Sequence, residues 1–123
     1  MRYPIHIQSV SDLITNSSSE VFICSVNNTN ARALAAEIQG FIDTLMEVLG
    51  FEGDDYYSGA EVTIANSDGE IDGWGYKYKK GDILIESRDD NSIPWSIMAV
   101  LEDLPYLPKF EKRITDVERH HLG

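Results

Sequence analysis

One cysteine, Cys24, is all the chain contains, so no internal disulfide can form. That fits a reducing cytoplasm, and a cysteine-poor secreted protein would look the same. Long apolar runs are missing too. The longest, Ile97-Met98-Ala99-Val100-Leu101, falls far short of the roughly 20 residues that a spanning helix needs. The first 20 residues carry Arg2, Pro4, His6, Gln8 and Asp12 in place of an apolar signal core. No signal peptide and no membrane partner is therefore expected. Positive charge is scarce: 10 Lys and Arg face 21 Asp and Glu, a net charge of −11. Nucleic-acid backbones and anionic membranes repel such a chain, so direct nucleic-acid binding is not expected either. No Walker loop, GxGxxG or GxSxG stretch occurs.

What the chain does have is enough to fold as one unit. Its 123 residues are 42% apolar and 25% charged, the size and balance of a single globular domain spanning 1–123. The acidity is local. Residues 1–50 carry −3, residues 51–75 carry −7 with no basic side chain, and residues 76–123 carry −1.

Periodicity then sets the elements. Tyr3, Ile5 and Ile7 alternate with Pro4, His6 and Gln8, which reads as a half-buried strand over 3–9. The polar stretch Thr15-Asn16-Ser17-Ser18-Ser19 favours a turn. Val21 to Val26 is nearly continuous β-branched and aromatic sequence, the pattern of a central strand buried on both faces. Over 30–49, Leu34, Ile38, Phe41, Ile42, Leu45 and Leu49 recur at helical spacing, with Arg32, Gln39, Asp43 and Glu47 assigned to the opposite face. Asn28, Thr29 or Asn30 can cap its start, and Gly50 lies just past its end. Strands are expected over Glu61–Asn66, Gly73–Lys80 and Asp82–Ser87 as an antiparallel meander, after an acidic loop over 51–59. Ser92 is expected to cap a second helix with Pro94 in its first turn and Ile97, Met98 and Leu101 inward. The stretch from Phe110 to Leu122 does not alternate cleanly, but Ile114, Thr115 and Val117 favour a last strand. The fold class is α+β: a mostly antiparallel sheet in the order β-β-α-β-β-β-α-β, with two helices packed on one face.

Chemistry-bearing patterns are few. Asn66, Asp68, Glu70 and Asp72 place oxygen ligands at every second position. Counting an EF-hand from Asp68 puts Lys79 where a bidentate Glu is required, so the segment reads as a hairpin turn. Glu52, Asp54 and Asp55, with Asp68, Glu70 and Asp72, form a candidate docking patch for a basic protein surface. Trp74, Tyr76 and Tyr78 share one strand face, either as core or as a platform on which a nucleotide could stack. His120 and His121 are adjacent and would face opposite ways on a strand, so a metal site with His6 or Cys24 is disfavoured and no cofactor is expected. Cys24 lies in an apolar run, where a cysteine is ordinarily an inert core residue.

Two short stretches carry a resemblance. DLITNSSSEVF (Asp12 to Phe22) and RHHLG (Arg119 to Gly123), 16 of the 123 residues, resemble segments of small proteins of bacterial tailed phages and prophages. The resemblance implies a phage or prophage product in the cytoplasm of a bacterial host, or in the virion, and carries no catalytic residue. The segment Ser17-Ser18-Ser19-Glu20 reads as a structured turn, with a recognition loop as the alternative. Together these features lead to the expectation of a non-catalytic acidic binding protein, an accessory protein or inhibitor that docks on a host or phage protein. The alternatives are a small-ligand binder using Trp74, Tyr76 and Tyr78, and a self-associating structural component of the virion.

Overall fold

A computed structural model describes residues 19–27, 30–53, 57, 59–71, 75–87 and 93–122. The expected strand over 3–9, positions 15–18 of the expected turn, the residues Asp54, Asp55, Asp72 and Trp74, and the cap Ser92 lie outside these described residues. Ser19 and Glu20, expected in that turn, are strand residues because both pair with the end of the chain.

The apolar run Val21–Val26 becomes strand β1 (Ser19–Val26), and it lies inside a four-stranded sheet. Its neighbours come from far along the chain: β5 (Ile83–Ser87) on one side and β6 (Ile114–Leu122) on the other, both antiparallel. Strand β2 (Ala60–Ile64) pairs antiparallel with β5 and closes the order β2-β5-β1-β6. Between β2 and β5 the chain forms a separate hairpin of β3 (Gly69–Glu70) and β4 (Lys77–Tyr78).

This corrects the expected meander. The segment expected as its middle strand, Gly73–Lys80, contributes β4 to the hairpin, while β2 bonds directly to β5. The physical reason is the second face of the sheet. Val21, Ile23 and Leu84 point there and are buried, covered by Ala65 and Ile71 with Tyr76 and Tyr78 packed alongside. A hairpin folded over that face hides apolar surface that a third strand in the same plane would leave bare.

The opposite face carries the main core. Phe22, Cys24, Ile83, Ile85 and Val62 meet Leu34, Ala35, Ile38, Ile42 and Met46 of helix α1 (Ala31–Val48), and Ile97 and Leu101 of helix α2 (Trp95–Glu102). Both helices thus pack on one face of a mostly antiparallel sheet, and the architecture is α+β. No helix among the described residues is long and apolar enough to cross a membrane.

Local chemistry explains where α1 begins and ends. Asn30 caps it, its side-chain oxygen accepting from the Ala33 N–H at 3.2 Å. At the far end, Gly50 takes φ +83°, a left-handed conformation that costs glycine nothing. The N–H of Gly50 donates to the Glu47 carbonyl and that of Phe51 to the Met46 carbonyl, which satisfies two otherwise orphaned acceptors. Gly40, by contrast, sits exposed in the middle of the helix, and a Cβ there would meet nothing within 4 Å. Gly40→Ala should therefore raise stability by about 0.5–1 kcal/mol, seen as a higher urea midpoint at unchanged slope.

Gln39 is a second correction. Its polarity assigns it to the outer face of the helix, yet it is only 4% exposed and its amide reaches across to β2. Helix α2 also starts slightly later than expected. Pro94 is extended at ψ 141° and precedes the helix, and its carbonyl accepts from the Ile97 and Met98 N–H groups.

The last segment resolves into a buried turn followed by a strand. Phe110 is fully buried and packs edge-on against Phe41 at 5.5 Å, and β6 begins only at Ile114. Ser25 pairs with Asp116 and Val26 with Ile114, so Thr115 is an extra residue, a β-bulge. That bulge breaks the alternation of the sequence. Arg113, just before the strand, grips Glu37 of α1 through two bonds of 2.8 and 2.9 Å. This fixes the entry of β6 against the first helix.

Candidate binding surface

Strand alternation decides which side chains share a side. On the hairpin side of the sheet, the pairs Glu61↔Glu86, Val21↔Glu86, Val21↔His120, Ile23↔Glu118 and Ser25↔Asp116 line up across β2, β5, β1 and β6. Asp82, one residue before β5, belongs to the same side by alternation. Four carboxylates that stand outside residues 51–75 in sequence (Asp82, Glu86, Asp116 and Glu118) thus face the side that bears the hairpin.

The titration of two of them records the crowding. Burial raises Asp82's carboxyl above its ordinary range. Lys79 pulls it back through its backbone N–H and its charge, and the charges of Asp68 and Glu118 push it up again. Glu86 is pushed up to about 7, first by burial and then by Glu61 directly across the ladder. Lys77, Lys79 and Lys80 on the hairpin offset part of this negative charge.

The individual residues of the sequence-based patch separate. Asp68 is exposed, but its Oδ1 accepts from the Lys80 N–H at 2.8 Å, and Asp82 does the same for Lys79. Both therefore serve the turn that closes the hairpin. Glu70 is exposed on β3 and lies on the hairpin side. Glu52 is exposed in the turn after α1, whose neighbour Phe51 packs on the main core, so it lies on the helix side. It also lies beyond the opposite end of β2 from Asp68, since Gly59 approaches Met46 near the end of α1. The dense acidic stretch of the sequence is thereby divided between two regions of the surface.

The aromatic stripe is engaged within the molecule. Tyr76 stacks on His120 with ring centroids 3.7 Å apart. Tyr78 lies over Gly69, where a Cβ would stand 2.5 Å from its hydroxyl, so a larger residue there would displace that ring. Both tyrosines pack on the second core cluster.

The two adjacent histidines do point to opposite sides. His120 takes the hairpin side, while His121 Nδ1 bonds the Glu20 carboxylate on the helix side. Glu20 is only 6% exposed and also accepts from Arg119 Nε at 2.9 Å. Arg119 reaches on to Glu102 at 2.7 Å, and its guanidinium lies 5.5 Å from the Trp95 ring centroid. A buried carboxylate with two cationic or hydrogen-bonding partners is satisfied in charge and geometry. Its role is to tie β6 to β1 and α2. Cys24 is fully buried, and burial followed by the charges of Asp82 and Asp116 pushes its thiol up, so it stays protonated and unreactive.

Sequence reasoning missed Asp82, Glu86, Asp116 and Glu118 as members of one side. Only the strand order brings them together, and no local pattern encodes that order. Among the described residues no group of three or more His, Cys, Asp or Glu is placed to hold a metal ion. No family model, curated protein or solved structure matches the chain.

Proposed function

We propose that this chain is a non-catalytic binding protein that docks on the basic surface of another protein, as a phage or prophage accessory protein or inhibitor. One observation carries the docking reading. Glu70, Asp116 and Glu118 are exposed carboxylates from β3 and β6 on one side of the sheet, with Asp68, Asp82 and Glu86 behind them. The carboxylates of this side outnumber Lys77, Lys79 and Lys80 of the hairpin, and such an excess of one sign steers an oppositely charged partner and makes association sensitive to salt. The phage assignment rests on the resemblance of Asp12–Phe22 and Arg119–Gly123 alone.

The test is a triple charge reversal, Glu70→Lys with Asp116→Lys and Glu118→Lys. Asp68 is left intact because it ties the hairpin turn. Binding to a dye-labelled lysine-rich peptide should weaken by about ten-fold or more at low salt, and wild-type binding should itself fall as salt is raised from about 50 to 300 mM. Equal affinity in the wild type and the triple variant would remove this side of the sheet from the reading.

A further inference from the structure

We infer that Tyr106 and Asp103, on the outer side of α2 and the turn after it, receive an arginine side chain from the partner. This rests on the basic-partner reading above and names a second contact surface for it.

The pattern begins with burial. Ile97, Leu101 and Leu104 point into the core, while Trp95, Ala99, Glu102, Asp103 and Tyr106 are exposed or partly so. Trp95 is 70% exposed and Tyr106 77% exposed, the two large aromatic side chains that the fold leaves in solvent among the described residues. Each comes with a carboxylate. Trp95 and Glu102 together hold Arg119, whose guanidinium faces the indole while it donates to Glu102. The surface therefore already shows how it treats a guanidinium: an aromatic face for the flat cation and a carboxylate for its N–H groups.

Tyr106 and Asp103 set an aromatic ring and a carboxylate three residues apart across the 3-10 turn Leu104–Tyr106, a spacing that puts both on one side. The Tyr106 N–H donates to the Asp103 carbonyl at 2.8 Å, which closes the turn and keeps the two residues adjacent. Among the described residues neither side chain has an ion pair or a ring-bound cation. Of the cations that follow in sequence, Lys109 lies over Phe41 and Phe110 at 5.9 and 5.6 Å and Arg113 is bound to Glu37, while Lys112 is exposed. The second aromatic–carboxylate pair thus faces outward on a chain of net charge −11, which favours a cationic occupant. Arginine fits better than lysine because its plane can stack on a phenol ring while its fork reaches a carboxylate.

Binding of a dye-labelled nine-arginine peptide to the full chain, followed by fluorescence anisotropy, tests this. Tyr106→Ala keeps the net charge, so general attraction is unchanged, and its affinity should fall about five-fold. Tyr106→Phe should bind as the wild type does, and a nine-lysine peptide should respond less to Tyr106→Ala. Circular dichroism checks that the variants stay folded, which the exposure of Tyr106 favours. Wild-type affinity in Tyr106→Ala overturns the inference. If the triple reversal at Glu70, Asp116 and Glu118 loses binding while Tyr106→Ala does not, the acidic-side reading stands and this one falls. The reverse result leaves this one standing and removes the other. An arginine peptide that the wild type does not hold overturns both.

Discussion

Gln39→Leu is expected to lower the stability of the fold by about 2–4 kcal/mol, read from urea unfolding followed by circular dichroism. Among the described residues strand β2 lies at the edge of the sheet, and Gln39 bonds its outward Ala60 carbonyl and Val62 N–H. Its Nε2 donates to the Ala60 carbonyl at 2.9 Å, and its Oε1 accepts from the Val62 N–H at 3.0 Å. The side-chain amide thus stands in for the peptide group of a neighbouring strand, inside the contact between α1 and β2. Leucine keeps the volume but removes the side-chain partner of two buried backbone groups, each loss costing about 1–3 kcal/mol. Gln39→Glu supplies a second reading, because its carboxylate can accept from Val62 but cannot donate to Ala60. A loss below about 1 kcal/mol in Gln39→Leu would mean that water reaches this edge and replaces the amide.

The second large effect is a dependence of stability on pH that runs opposite to acid denaturation. Glu86 titrates near 7 in the folded chain, against an ordinary 4.5. Between those values the folded state holds a proton that the unfolded chain has released, so stability falls as the pH rises through this window. Each tenfold difference in proton affinity between the two states is worth about 1.4 kcal/mol, so the wild type should lose up to about 3 kcal/mol between roughly pH 4.5 and pH 8. Glu86→Gln removes the proton and the repulsion from Glu61 together. It should match the wild type near pH 5 and exceed it near pH 8, with a shallower fall between, to which Asp82, also raised by burial, still contributes. Glu37, held below its ordinary range by its bonds to Arg113, contributes on the acid side of 4.5 and leaves this window clear. Identical slopes in the wild type and Glu86→Gln would assign the loss to other groups.

How much of this can be read in the sequence depends on the range over which each feature is encoded. Helix α1 is legible to within a residue at each end because its cap, its apolar stripe and Gly50 are all local signals. The central position of Val21–Val26 is legible because both of its faces are apolar. Gln39 misleads because a polar side chain on an amphipathic helix ordinarily faces outward. Its position is informative all the same: it lies four residues after Ala35 and three before Ile42, on the buried stripe itself. The acidic side is the hardest to see. Residues 51–75 are dense in charge along the chain, yet their spatial neighbours Asp82, Asp116 and Glu118 belong to segments whose pairing is set by packing over the whole sheet. The last strand is blurred by Thr115, since one bulged residue reverses the alternation on either side of it.

The position of β1 also bears on how the chain reaches this state. Both strands that flank it arrive late: β5 starts 64 residues after β1 begins, and β6 starts 95 residues after it. During synthesis the segment Val-Phe-Ile-Cys-Ser-Val is therefore complete long before either neighbour exists. Such a stretch has high β-propensity and no charge or proline, the composition that pairs readily with a second copy of itself. Pairings this distant in sequence also slow the final collapse relative to a helical protein of the same length. Until residues 114–122 are made, the nascent chain carries its most aggregation-prone strand with one side open. Solubility during expression should therefore depend on that late segment and on how promptly a chaperone covers the early one.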